Sequence, residues 1–434
     1  MYLPSRAYLV PYAIDVRTGD PPRVSRCRAS DGIKFKRVQA GLIALSVVLT
    51  LRDALMSLYG IAVIPVLIWV YLLLGRGRFW HIAAHRAAVL PPAAARRVVV
   101  VIPARNEAAV IGTAVASLAR QKFSGTIHLI VIDDDSTDGT GEAALAAARA
   151  AGALPRFELL RAAALPRGWT GKLWALSQGV TAAAELSADY FLFSDADTCH
   201  GPTSLASLVA DAEANDRDLV SYMVKLSAAT GAERLLIPAF VFFFFKLYPP
   251  AWIADPKRRL AAAAGGCILM RPEALARAGG LQKIRSQIID DCALARVVKH
   301  SGGRISLQLA EETTSLRSYA SFTEIGAMIS RTAFAQLRHS YLMLAATLLG
   351  LLLTYLLPAV LLFIGDPPLV CLGLAALLLM SLCYLPMVRF YSLSPLWSLC
   401  LPVIAIFYTG AVIHSAVQYA RGSGGMWKGR VQDA

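Results

Sequence analysis

Residues 55–74 (LMSLYGIAVIPVLIWVYLLL) run for twenty positions without a charge, about the length that carries a helix across the hydrocarbon core of a bilayer. Three more apolar runs follow, at roughly 341–364, 369–388 and 397–420. The whole chain, 434 residues and 56% hydrophobic with a mean hydropathy of +0.53, is too apolar for an ordinary soluble protein. Charge and turns return between about 75 and 340, a stretch long enough to bury a full core. The expected plan is a poorly patterned basic leader over 1–40, an N-terminal membrane anchor over 41–75 and a domain over 76–340. C-terminal transmembrane helices over 341–420 and a tail over 421–434 complete it.

The formal net charge is +14, and the basic residues crowd the flanks of the first apolar run. Arg23, Arg26, Arg28, Lys34, Lys36 and Arg37 precede it, and Arg76, Arg78, Arg86, Arg96 and Arg97 follow. They are not interleaved with aromatic residues as a nucleic-acid stacking platform requires, so no nucleic acid is expected as partner. Basic residues near a span favour the cytoplasmic side. A multi-pass protein of the cytoplasmic (inner) membrane is therefore expected, its domain facing the cytoplasm. Seven cysteines occur without a CxxC pair, and Cys371, Cys383 and Cys400 lie in apolar runs, which is no disulfide framework. The leader has no apolar segment of signal-peptide type.

Inside the domain, β-branched and apolar runs at 98–102, 127–132, 156–161 and 189–193 read as buried strands, with helical patterns between them. Such alternation predicts an α/β domain with a parallel, doubly wound sheet, whose ligands bind beyond the carboxyl ends of the strands. The polar clusters that follow the strands fall at those ends.

DDDSTDGT (133–140) is either an elaborate helix cap or a set of carboxylates that hydrogen-bond a base and ribose. In SDADT (194–198), Asp195 and Asp197 can converge on one ion in a turn, and hard Mg2+ or Mn2+ takes one or two carboxylates plus substrate phosphates. Asp290 and Asp291 open a helix, as caps or as a general base with its neighbour. Gly168-Trp169-Thr170-Gly171-Lys172 can bring amides and a cation to phosphate, and Gly265-Gly266 admits either a ligand or a packed helix. His81 and His85 have helical spacing but no acidic partner nearby. The aromatic run 240–252 is too short to span and reads as core or as an interfacial segment.

VVVVIPARNE (98–107), VIDDDSTDGT (131–140), SDADT (194–198), GGCILMRPEALARAGG (265–280) and IDDCAL (289–294) resemble, in order, the family 2 glycosyltransferases of GT-A fold. LPRGWTGKLWAL, FFFFKLYPPAW, QIIDDCALA and SRTAFAQLRHS look closest to the hopene-associated HpnB-type branch. The resemblance implies a GT-A (Rossmann-like) nucleotide-sugar-binding domain plus transmembrane helices at both ends. Ala104, Arg105 and Glu107 would line the nucleotide site, and Asp134 with Asp133 would contact the uracil of a UDP-sugar. Asp195 would face the ribose or sugar, with Lys172, Gly266 and Asp290 also in the nucleotide-sugar site. Asp197 would bind the metal, Mg2+ or Mn2+, and Asp291 would be the catalytic base of an inverting transfer.

In the family's acidic pair a Glu precedes the base, where this chain has Asp290. The QxxRW signature of processive synthases is absent, Gln336-Leu337-Arg338-His339 being the nearest run, so Arg338 is a diphosphate contact only by analogy. The implied partners are a nucleotide sugar, a membrane lipid acceptor such as a hopanoid, and the bilayer, approached past interfacial segments 236–252 and 322–339. Transfer to polyprenyl phosphate or a polysaccharide, and a non-catalytic membrane scaffold, are the rival readings.

Overall fold

The run VVVVI is apolar at every position because both of its faces are covered. In the computed structural model it lies in β2 (Arg97–Ala104), at the middle of a nine-stranded sheet. Val98, Val100 and Ile102 point into one core with Ile111, Val115, Ala144 and Leu208. Val99 and Val101 point into the other, with Leu176, Phe193 and Leu236. The structure describes residues 29–82, 84–85, 95–422, 426–427 and 430–431. Most of the expected leader, Arg86 and much of the tail lie outside the described residues.

The other strands of this sheet are β1 (Ala84–His85), β3 (Thr126–Asp133), β4 (Phe157–Arg161), β5 (Tyr190–Ser194) and β6 (Thr198–Cys199). The set ends with β7 (Leu219–Lys225), β8 (Cys267–Met270) and β9 (Ile305–Ser315). Their order is β1-β9-β7-β8-β5-β2-β3-β4, with β6 paired to β9. β4, β3, β2 and β5 are parallel, as expected, but β8 runs antiparallel between β5 and β7. The sheet is therefore mixed, of the GT-A kind. Helices Ala108–Ala119, Thr140–Ala150 and Ser204–Ala214 cover one face. Gly171–Ala184, Gly231–Leu247 and Asp290–His300 cover the other. Gly179 lets the first of these lie close, since a Cβ there would collide with Val101 and Ile132.

Among the described residues, five helical segments are long and apolar enough to cross a membrane: Met56–Leu74, Gly231–Ala254, Tyr341–Leu361, Pro367–Phe390 and Pro395–Ala420. Four are the expected runs. The fifth contains the aromatic run 240–252, which is longer than the sequence suggested because its helix starts at Gly231 behind a Thr230/Glu233 capping box. Val241, Phe242 and Phe245 are buried there in the core shared with Tyr384 and Tyr408. The helix with the first apolar run spans Ala29–Leu74, and its residues up to Gly60 belong to a separate unit, in which Ile43 and Val48 are exposed. Helix Phe322–Gln336 packs on the last apolar helix, the Phe334 amide donating to Ser415 Oγ at 3.0 Å.

Candidate active site

Where β2 ends, Ala104 is buried and its carbonyl accepts from the amide of Asp134 (2.8 Å). Asp134 is itself buried, 2% exposed, with its carbonyl taking a bond from Arg105 Nη1 and its carboxylate 3.7 Å from that group. Asp133, half-buried, accepts from the amide of Ser136 (3.0 Å). Asp138 ties two helix starts together, accepting from the amides of Ala108 (3.0 Å) and Thr140 (3.1 Å). Asp135 pairs with Arg161 at 3.3 Å on the exposed surface. The carboxylate loop after β3 thus splits into a buried partner for Arg105, two structural members and the half-buried Asp133.

A second group gathers on Lys172, in the first turn of helix Gly171–Ala184, which Thr170 caps. A cation is disfavoured at a helix N-terminus, so carboxylates must hold it there. Lys172 Nζ lies 2.8 Å from Asp195 Oδ1 and 3.3 Å from Asp290 Oδ2. Burial would lower its pKa, yet Asp195 and Asp290 outweigh that and hold the ammonium well above its ordinary value. Asp291 adjoins this group: its Oδ2 accepts from the amide of Gly265 (2.9 Å) and its Oδ1 from that of Cys292 (2.6 Å). Burial first, and Asp290 second, push the Asp291 carboxyl up to about 6, with Lys172 and the two amides opposing. Lys172, Asp195, Gly265, Asp290 and Asp291 line one pocket together with Phe193 and Leu294.

Gly265 is the glycine at the pocket, since a Cβ on it would stand 3.3 Å from Lys172 Nζ and 3.4 Å from Asp291 Oδ2. Gly266 is buried, its missing Cβ matched by Val224 and Thr198, so the close approach it permits is to this chain's own strands.

Asp197, in contrast, turns to a residue that the sequence did not single out. Arg317 Nε donates to Asp197 Oδ2 (2.9 Å) and Arg317 Nη2 to Glu107 Oε1 (2.8 Å). Just before Arg317, the amide of Leu316 donates to the Asp197 carbonyl (2.7 Å). Burial and then Asp195 push the Asp197 carboxyl above its usual range, and Arg317 counters them. Arg338 is exposed beyond helix Phe322–Gln336, and among the described contacts none joins it to these carboxylates.

Among the described residues no three His, Cys, Asp or Glu side chains converge as a protein-only metal cage. Asp197 still has Oδ1, and Asp195 has Oδ2, outside the ion pairs above. That donor set fits a hard divalent cation completed by phosphate oxygens, the usual arrangement for Mg2+.

A mixed sheet with its carboxylates beyond the strand ends is consistent with a GT-A fold. Residues 99–277 match the sequence model of Glycosyl transferase family 2, and the chain carries a domain of that family. The match ends before Asp290, Asp291 and Arg317. A search among curated proteins finds no match. Among solved structures, the chain is similar to the mannosyltransferase PcManGT from Pyrobaculum calidifontis in complex with GDP-Man and Mn2+. The identity is 17% and the TM-score 0.49, covering 82% of this chain and 98% of that one. It is similar also to glucosyl-3-phosphoglycerate synthase from Mycobacterium tuberculosis in complex with Mn2+, UDP-Glc and phosphoglyceric acid. There the identity is 21% and the TM-score 0.34, over 54% of this chain and 76% of that one.

Proposed function

We propose that this chain is an inverting glycosyltransferase that moves a sugar from a nucleotide diphosphate, a UDP-sugar by resemblance, to a lipid at the cytoplasmic face of the inner membrane. The observation that carries the reading is Asp291: a carboxylate with a pKa of about 6 in the same pocket as Lys172 and Asp195. A general base works best with a pKa near the operating pH. Asp291 takes the proton of the acceptor hydroxyl, the oxygen bonds to the anomeric carbon, and the bond to the diphosphate breaks on the opposite side. Lys172, fixed by Asp195 and Asp290, supplies positive charge beside the departing diphosphate. A divalent cation, Mg2+ or Mn2+, held by Asp197 with the diphosphate oxygens, would offset the same charge.

The lipid acceptor is supported by the outward apolar helices, and a hopanoid is favoured among lipids by the sequence resemblance alone. The test uses the full chain in lipid nanodiscs with UDP-sugars and Mn2+, following release of UDP with and without hopanoid. Release that depends on the lipid is expected. Neither release nor nucleotide binding with any UDP- or GDP-sugar would overturn the reading.

A further inference from the structure

Outside the pocket, Arg76 and Lys246 pair with no carboxylate among the described residues. Arg76 follows the end of the first apolar helix, Leu74, by two residues. Its Nε donates to the Lys246 carbonyl (3.1 Å) and its Nη2 to the Leu247 carbonyl (3.2 Å). It therefore caps the C-terminal end of helix Gly231–Leu247, where a cation suits the helix dipole. The guanidinium lies over the Trp252 ring, 4.6 Å from its centroid. Lys246 Nζ is bonded to the Tyr355 hydroxyl at 2.6 Å and lies 5.1 Å from the Phe243 centroid. Among the described residues neither cation pairs with a carboxylate, whereas Arg258, on the same Trp252 ring, pairs with Asp255.

Tyr355 is held in place by an unusual piece of backbone. It lies in a π-helical turn, Leu352–Leu356, a distortion that recurs at functional sites. The Trp69 indole N–H donates to the Thr354 carbonyl of that turn (2.9 Å). Around the cluster, Tyr71, Leu74, Leu247 and Leu352 are exposed, Leu74 to 74%.

Unneutralised positive charge and an outward apolar rim together match one ligand chemistry: a phosphate group carried on a hydrocarbon body. A free anion would leave the rim unused, and the Trp252 ring on which a base would stack is already covered by Arg76 and Arg258. We propose that Arg76 and Lys246 bind the phosphate of an anionic membrane lipid, with the buried Tyr355 hydroxyl fixing the Lys246 ammonium. This rests on the reading that the apolar helices lie in a bilayer, but not on the identity of the sugar or of the acceptor.

The experiment measures lipid retained by the full chain, using native mass spectrometry after release from nanodiscs of phosphatidylcholine with or without phosphatidylglycerol. Selective retention of phosphatidylglycerol is expected. Lys246→Gln and Arg76→Gln should each weaken it about fivefold, the worth of one cation facing an anionic lipid, and Lys246→Arg should restore it. Equal retention of both lipids by the unaltered chain overturns the proposal whether or not the variants fold. So does retention unchanged in a folded variant, or displacement of the lipid by inorganic phosphate alone, which would mark a site for soluble anions. The readout needs no sugar nucleotide, so its failure is separable from failure of the transferase reading.

Discussion

Arg317 Nε donates to Asp197 Oδ2 at 2.9 Å, across 120 residues of chain. The same guanidinium holds Glu107, so one cation joins the turn after β5 to the loop after β2. Arg317→Gln leaves two half-buried carboxylates without their shared partner. The loss is on the order of 1 kcal/mol for a partly exposed pair. That corresponds to a fall of about 2–4 °C in unfolding temperature. Because Asp197 still attracts positive charge, Mn2+ should recover more stability in the variant than in the unaltered chain. Thermal unfolding with and without Mn2+ reads both quantities. An equal Mn2+ effect in the two proteins would refute competition for Asp197.

Asp291→Asn removes the base and keeps the shape of the side chain. Turnover should fall about 10²–10⁴-fold, the usual worth of a general base. Nucleotide binding, measured by calorimetry, should stay nearly unchanged. Equal loss of both would assign Asp291 to donor binding instead.

The pH dependence follows from the same carboxylate. Asp291 acts only when deprotonated, and burial with Asp290 raises its pKa to about 6. The rate should therefore be flat above that value and fall as pH drops through it. Lys172→Met removes the cation that opposes the rise, so the acid limb should move to higher pH. Donor affinity should fall as well, because Asp195 and Asp290 lose their common partner. A limb left in place in the variant would mean that Lys172 does not act on Asp291.

The parallel half of the sheet was legible because its strands are uninterrupted apolar runs with turn signals at each end. The four expected strands match β2, β3, β4 and β5 closely. The other half was not. β8 is four residues long, Cys267–Met270, and its antiparallel direction is set by tertiary pairing with β5 and β7. In the candidate site, the clusters that meet on Lys172 were visible because unpaired carboxylates after strands demand an explanation. Arg317 carried no such mark: a lone basic residue in SLRSYA becomes informative only when folding sets it against Asp197 and Glu107. Nor did the sequence show that Asp134 is turned inward, its carboxylate 3.7 Å from Arg105 Nη1.

Gly179 offers a test of how the scaffold sets the pocket. It sits in helix Gly171–Ala184, eight positions after the helix start, on the side that meets the sheet. An added methyl group would collide with Val101 of β2 and Ile132 of β3, both buried side chains with little room to give. Overpacking of this kind costs about 1–3 kcal/mol. The helix can relieve it only by lifting from the sheet, and Lys172 in its first turn moves with it. Gly179→Ala should therefore lower the unfolding temperature and also weaken donor binding, although the residue touches no ligand. Gly152→Ala supplies the contrast: no neighbour lies within 4 Å of a Cβ there, so any loss comes from its positive φ of 65° and should leave donor affinity intact. Calorimetric titration of both variants with UDP separates a shifted helix from a general loss of stability, and equal affinities would show that the helix absorbs the methyl group without moving Lys172.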